Sequence, residues 1–117
     1  MTDYEFGEIV LVDFPQTGPA ETKRRPALVI LDIGDDDVVL APVTSRERSG
    51  AGDQRIEGWR DCGLLRESWV RLAKVACLRK TDIARRLGLL TPGDRDAIAE
   101  AWQRLVAPHP CLPSTSP

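Results

Sequence analysis

Two short segments hold the residue types that could do chemistry on a phosphodiester. In Lys23-Arg24-Arg25-Pro26-Ala27-Leu28-Val29-Ile30 an arginine stands directly before a proline and an apolar run. In Leu40-Ala41-Pro42-Val43-Thr44-Ser45 an apolar run closes on two hydroxyls. A ribose 2′-hydroxyl attacks its own phosphate when three demands are met: its proton is taken, charge on the phosphorane oxygens is stabilised, and the departing 5′-oxygen gains a proton. Arg25 suits the second demand, because a guanidinium fork matches two phosphate oxygens. Its pKa, above ~12, makes it a poor proton-transfer group. Thr44 can donate a hydrogen bond that positions the phosphate. Pro26 restricts Arg25 to extended backbone and so gives its side chain a defined starting direction. Taken singly, an arginine in a basic run is a solvated charge, and a threonine at a strand end is a turn hydroxyl. Paired on neighbouring strand ends, an arginine and a threonine are what a metal-free phosphodiester site needs.

The elements that must hold this pair are short strands. Residues 7–14 read as a first strand, rich in β-branched side chains. A polar loop with two prolines and a glycine breaks it. Residues 25–31 are apolar on both faces, which predicts a central strand buried on both sides. Gly34-Asp35-Asp36-Asp37 is a tight turn into a third strand over 38–43, so the two strands form an antiparallel hairpin. A polar loop follows, then a short strand near 54–57 and a turn at Asp61-Cys62-Gly63. Residues 68–72 and 74–78 are two strand pieces, or one strand bent around Ala73. Residues 81–87 are expected as a short helix. Thr91-Pro92-Gly93-Asp94 supplies a capping hydroxyl, a proline at the first helical position and a carboxylate at the third. Ile98, Ala101, Trp102 and Leu105 then recur at helical spacing, which predicts a helix over 92–106 that docks Trp102 on the sheet. Pro108 stops it. Residues 1–107 form one domain in this reading, and 108–117 a flexible proline-rich tail. Many short strands and one late helix predict a small, strongly bent antiparallel sheet or barrel.

Composition narrows the function classes. With 42% hydrophobic and 29% charged residues, the chain is globular rather than disordered. No apolar run is long enough to cross a bilayer. The first six residues have neither a basic start nor an apolar stretch, so a cytoplasmic location is expected. The net charge is -2, against the basic footprint usual for nucleic-acid binding. Basic residues nevertheless gather at 23–25, 46–48 and 71–80, which leaves room for a local positive surface. Cys62, Cys77 and Cys111 have no CxxC spacing, and the lone His109 lies between two prolines. That pattern argues against a disulfide framework, a zinc site and a His–Cys pair, so no metal or cofactor is implied. Cys62 and Cys77 are expected as reduced, partly buried thiols. Trp59 and Trp69 are expected in the core or at a dimer interface.

Residues 7–14, then Arg25-Pro26-Ala27-Leu28-Val29-Ile30, then Ala41-Pro42-Val43-Thr44-Ser45, in this order and spacing, resemble the MazF/PemK toxin family. Ser68-Trp69-Val70-Arg71-Leu72-Ala73-Lys74 and Leu87-Gly88-Leu89-Leu90-Thr91 extend the resemblance to about residues 5–106. The resemblance implies an SH3-like antiparallel β-barrel of the CcdB/PemK type with a C-terminal α-helix. It implies the toxin of a type II toxin–antitoxin pair. Such a toxin cuts single-stranded RNA at a short sequence without metal, leaving a 2′,3′-cyclic phosphate and a 5′-hydroxyl. It implies a homodimer neutralised by a cognate antitoxin, with DNA met only through that antitoxin. The family's catalytic arginine falls on Arg25 and its catalytic threonine on Thr44. Asp13 is a candidate to accept from a base edge or to orient Arg25, and Phe14 to stack a base or pack the rim. Lys23, Arg24, Ser45, Arg46 and Lys74 are candidate contacts to the RNA backbone. The loops over 15–24 and 45–53 are expected to hold sequence specificity. Two other readings use the same barrel: a gyrase-poisoning toxin like CcdB, which the proline-rich ending disfavours, and an inert SH3-like binding module.

Overall fold

The computed structural model describes residues 3–15 and 22–108. Among them are seven strands and one helix: β1 (Glu8–Pro15), β2 (Thr22–Leu31), β3 (Asp37–Thr44), β4 (Asp53–Ile56), β5 (Ser68–Arg71), β6 (Ala76–Arg79), β7 (Ile83–Leu89) and α1 (Pro92–Val106). Single 3-10 turns occupy Trp59–Cys62, Leu72–Lys74 and Lys80–Asp82. The fold is mainly β with a C-terminal helix, as the sequence implies. The tail over 109–117, with His109 and Cys111, lies outside the described residues, as does most of the loop after Pro15. Among the described residues no helix is long and apolar enough to cross a membrane.

The strands run β4-β5-β3-β2-β1-β7, all paired antiparallel. β3 is shared along its length: its first half pairs with β6, its last residues with β5. β2 lies between β1 and β3, and Ala27, Leu28, Val29 and Ile30 are all buried. The reason is that both faces of the central strands are covered. One cluster gathers Ile9, Leu28, Ile30, Ala41 and Val43 with Ile98 and Trp102 of α1. The other gathers Val10, Val12, Ala27, Val29, Val38 and Leu40 under Tyr4, Leu78 and Ile83. Each fully buried aliphatic side chain adds roughly 1.5–3 kcal/mol of transfer free energy.

α1 begins where the sequence places it. Thr91 Oγ1 accepts from the Asp94 backbone N–H at 3.3 Å, with Pro92 at the first helical position. Asp94 is buried and turns outward from the helix. Its carboxylate accepts from the backbone N–H groups of Glu57 (3.1 Å) and Gly58 (2.7 Å). The helix start is thereby fastened to the turn after β4.

Residues 81–87 depart from the helical expectation. They form a 3-10 turn and most of β7, which pairs with β1 from Glu8↔Leu89 to Val12↔Ile83. Alanine, arginine and leucine favour a helix, but the exposed edge of β1 supplies a ladder that local propensity cannot match. Residues 68–78 are two strands, β5 and β6, separated by the 3-10 turn Leu72–Lys74. The hydrogen-bonded ladder does not close into a ring, since β4 and β7 are its ends. Backbone packing bridges part of the gap. Gly63, with φ 86°, lies so close to β7 that a Cβ there would stand 2.3 Å from the Leu87 carbonyl oxygen. Reciprocally, a Cβ at Gly88 would stand 2.5 Å from the Cys62 carbonyl oxygen. Only glycine permits this apposition, which presses the turn before residues 63–66 onto β7.

Candidate active site

An open cavity of about 480 Å³ lies over the sheet where β3 ends. Its floor is apolar: Leu11 from β1, Pro26 from β2, Val43 from β3 and Leu87 from β7. Arg25 and Thr44 both line it. Their approach follows from register. Ala27 pairs with Pro42 in the β2–β3 ladder, and the same register carried two residues further sets Arg25 against Thr44. β3 stops at Thr44, whereas β2 continues back to Thr22 in its ladder with β1. Arg25 therefore does not end its strand. It sits where β2 loses its β3 neighbour, and the lost neighbour makes the opening. Thr44 is half-buried, and its Oγ1 accepts from the Arg46 backbone N–H at 3.1 Å. That bond orients the hydroxyl and leaves its own proton to donate.

Ser45 and Arg46 continue the same wall. The facing wall comes from residues 63–66 and from Arg85 on β7. Four arginines thus border one cavity: Arg25, Arg46, Arg66 and Arg85. Among the described residues no carboxylate shares the lining. Among the described residues none of the four is in an ion pair. Away from the cavity, Arg48, Arg60 and Arg95 are likewise in no ion pair among the described residues, while six others are paired. Arg24, Arg55, Arg71, Arg79, Arg86 and Arg104 each lie within 4 Å of a carboxylate oxygen. Uncompensated guanidinium groups around a concave surface create a positive potential that favours an anion, whatever the net charge of the chain.

These features coincide with a sequence relationship. The sequence model of PemK-like, MazF-like toxins of type II toxin–antitoxin systems matches residues 5–106. This chain belongs to that family. A comparison with curated proteins finds no match. Solved structures share the fold. The Mycobacterium tuberculosis toxin MazF-mt6 superposes with a TM-score of 0.68 at 22% identity, covering 84% of this chain and 94% of that one. An endoribonuclease from a Mycobacterial species gives 0.70 at 19% identity, with 91% and 93% covered. The MazE–MazF complex of Deinococcus radiodurans gives 0.69 at 20%, with 89% and 97% covered.

In this MazF-like chain the expected site residues fall into two groups. Arg25, Thr44, Ser45 and Arg46 meet at the cavity. Asp13, Lys23, Arg24 and Lys74 do not line it. Asp13 accepts from Arg24 Nε at 2.9 Å rather than orienting Arg25. The β1–β2 register sets Asp13 opposite Arg24, and successive strand residues face opposite sides, so Arg25 points away from that pair. Lys23 is exposed on β2 opposite Phe14, whose side chain lies outside the described residues. Lys74 is exposed at the end of a 3-10 turn. Trp59 packs against the first cluster, and Trp69 is half-buried on β5 opposite Thr44. Cys77 is exposed rather than partly buried. Cys62 is buried, and burial followed by the nearby Asp94 charge pushes its thiol pKa up, which keeps it protonated and unreactive.

Arg66 and Arg85 were not legible as site residues. Arg66 sits in a short polar stretch, and Arg85 in a segment that reads as helical. The available signal is Gly88, since an isolated glycine inside a strand marks a close backbone approach.

Proposed function

We propose that this chain is an endoribonuclease that cuts single-stranded RNA at a short sequence without a metal ion, leaving 2′,3′-cyclic phosphate and 5′-hydroxyl ends. The observation that carries this reading is the juxtaposition of Arg25 and Thr44 at one end of a cavity whose charged groups, among the described residues, are all guanidinium. Arg25 receives two oxygens of the scissile phosphate and stabilises the charge that grows on them as the 2′-oxygen attacks. Thr44, held by its bond from Arg46, donates to the same phosphate and fixes it in line for attack. Ser45, Arg46, Lys23, Arg24 and Lys74 hold the RNA backbone on either side. Asp13 and Phe14 contribute to base selection, together with the loops over 15–24 and 45–53. The chain works in the cytoplasm as a homodimer, and a cognate antitoxin neutralises it by filling the same groove. Support for the antitoxin comes from family membership and from the MazE–MazF complex that shares the fold.

The test uses purified, antitoxin-free protein and single-stranded RNA in EDTA. Cleavage is expected, with 2′,3′-cyclic phosphate ends, and it is expected to fall steeply in Arg25→Ala and Thr44→Ala variants with unchanged circular dichroism. RNA left intact by the wild type would overturn the enzymatic reading.

A further inference from the structure

The catalytic pair accounts for only one wall of the cavity. Across β1 from Pro26 stands Arg85, because Leu11 pairs with Pro26 on one side and with Arg85 on the other. Two strand spacings, about 10 Å, separate those backbones. Arg85 therefore borders the same cavity from the β7 side, across β1 from the strand that carries Arg25. Arg66 joins it from the loop pressed against β7. Both arginines are exposed, and among the described residues neither has an ion-pair partner.

This second wall is built rather than incidental. The reciprocal Gly63 and Gly88 contacts fix the loop base against β7. The buried Ser68 donates its hydroxyl proton to the Arg66 carbonyl at 2.8 Å and fixes the far end of the loop. Asp94 anchors the turn that leads into it. Between the two anchors Leu65 is 91% exposed, an apolar side chain turned to solvent beside two unpaired cations. A phosphate with a base beside it supplies complementary chemistry for both kinds of surface.

We propose that Arg66 and Arg85 together grip one phosphate neighbouring the scissile one, forming a second phosphate subsite that sets where the strand lies relative to Arg25. The inference rests on an RNA substrate, as above. The subsite requires no chemistry of its own. A guanidinium pair on one phosphate releases one nucleotide's worth of counterion, and that quantity can be measured without cleavage.

The experiment measures binding of a random-sequence, 2′-O-methyl single-stranded oligonucleotide, which cannot be cut, across a range of salt concentrations. The probes are the wild type, Arg66→Gln, Arg85→Gln, the double Gln variant and the double Lys variant. For the double Gln variant, binding is expected to fall roughly tenfold at low salt. Its salt slope is expected to fall by about 0.7, the value for one phosphate on a single strand. Each single variant is expected to lose most of this by itself, since two groups on one phosphate are non-additive. The double Lys variant keeps the slope. An unchanged slope in the double Gln variant overturns the proposal, even if the same variant loses capture of an acidic peptide, which would assign the wall to a protein partner. Losses that add fully assign the two arginines to separate phosphates and overturn the shared grip. A wild type that binds with the expected slope but leaves cleavable RNA intact defeats the enzymatic reading and spares the subsite. A wild type with no salt-dependent binding defeats both.

Discussion

The cavity and the region around the β2–β3 turn handle charge in opposite ways. Near the turn, Asp32 is buried between backbone and cation: it accepts from the N–H groups of Asp3, Tyr4 and Gly34, and it pairs with Lys80 Nζ at 2.9 Å. Lys80 also reaches Asp3, at 3.1 Å. Arg86 joins Glu8 at 2.8 Å and lies over the Tyr4 ring. Asp32, Lys80, Asp3, Glu8 and Arg86 are thus all partnered, and the effect is to pin the N-terminal residues to the sheet. Around the cavity the arginines have no ion-pair partner among the described residues. The contrast separates charges tied into the fold from charges that line an open cavity. Arg85 and Arg86 make the point on consecutive residues of β7: one faces the cavity unpaired, the other is tied to Glu8.

The sharpest way to break this division is at Arg25. Replacement by Ala is expected to reduce RNA cleavage by roughly 10²–10³-fold, the usual effect of losing one charge-stabilising donor. Its melting temperature is expected to stay unchanged, and a large drop there would make Arg25 structural. Gly63→Ala comes next. Its Cβ meets the Leu87 carbonyl at a left-handed φ, so a loss of about 1–3 kcal/mol or more is expected in urea unfolding. Gly93→Ala in α1, where a Cβ meets nothing, serves as the contrasting control and is expected to gain up to about 1 kcal/mol.

The turn region has a pH signature. Burial by itself would raise the Asp32 pKa, but the bonds from Gly34, Lys80, Tyr4 and Asp3 hold it well below the ordinary carboxylate range. The carboxylate is therefore stabilising at any pH above its unfolded value of about 4. That contribution fades as acid titrates the folded group, below that value. Asp32→Asn is expected to melt lower than wild type at pH 7, with the gap narrowing below about pH 4. A gap constant with pH would remove the charge from the account. The smallest effect is expected at the helix cap, where Thr91→Ala should cost about 1 kcal/mol without touching cleavage.

Much of this architecture is legible along the chain because it is local. The hairpin turn at 34–37, the apolar run of β2 and the cap at Thr91 each depend on a few neighbouring residues. The strand β7 does not. Its sequence suits a helix, and what makes it a strand is the edge of β1, more than seventy residues earlier in the chain. The site divided along the same line. Arg25, Thr44, Ser45 and Arg46 lie beside the hairpin and could be found with it. Arg66 and Arg85 belong to the wall that exists only after β7 docks. For Asp13 the partner was hidden for a simpler reason: register, not proximity in sequence, decides that it meets Arg24.

The late arrival of β7 also bears on synthesis. A chain emerging from the ribosome displays the hairpin carrying Arg25 and Thr44 early, while residues 63–66 have nothing to rest on and β1 has a bare edge. The far wall is completed only when residues 83–89 are out, and their pairing with β1 is the most sequence-distant ladder described. Until that ladder forms, the cavity lined by Arg25 and Thr44 lacks the wall opposite them.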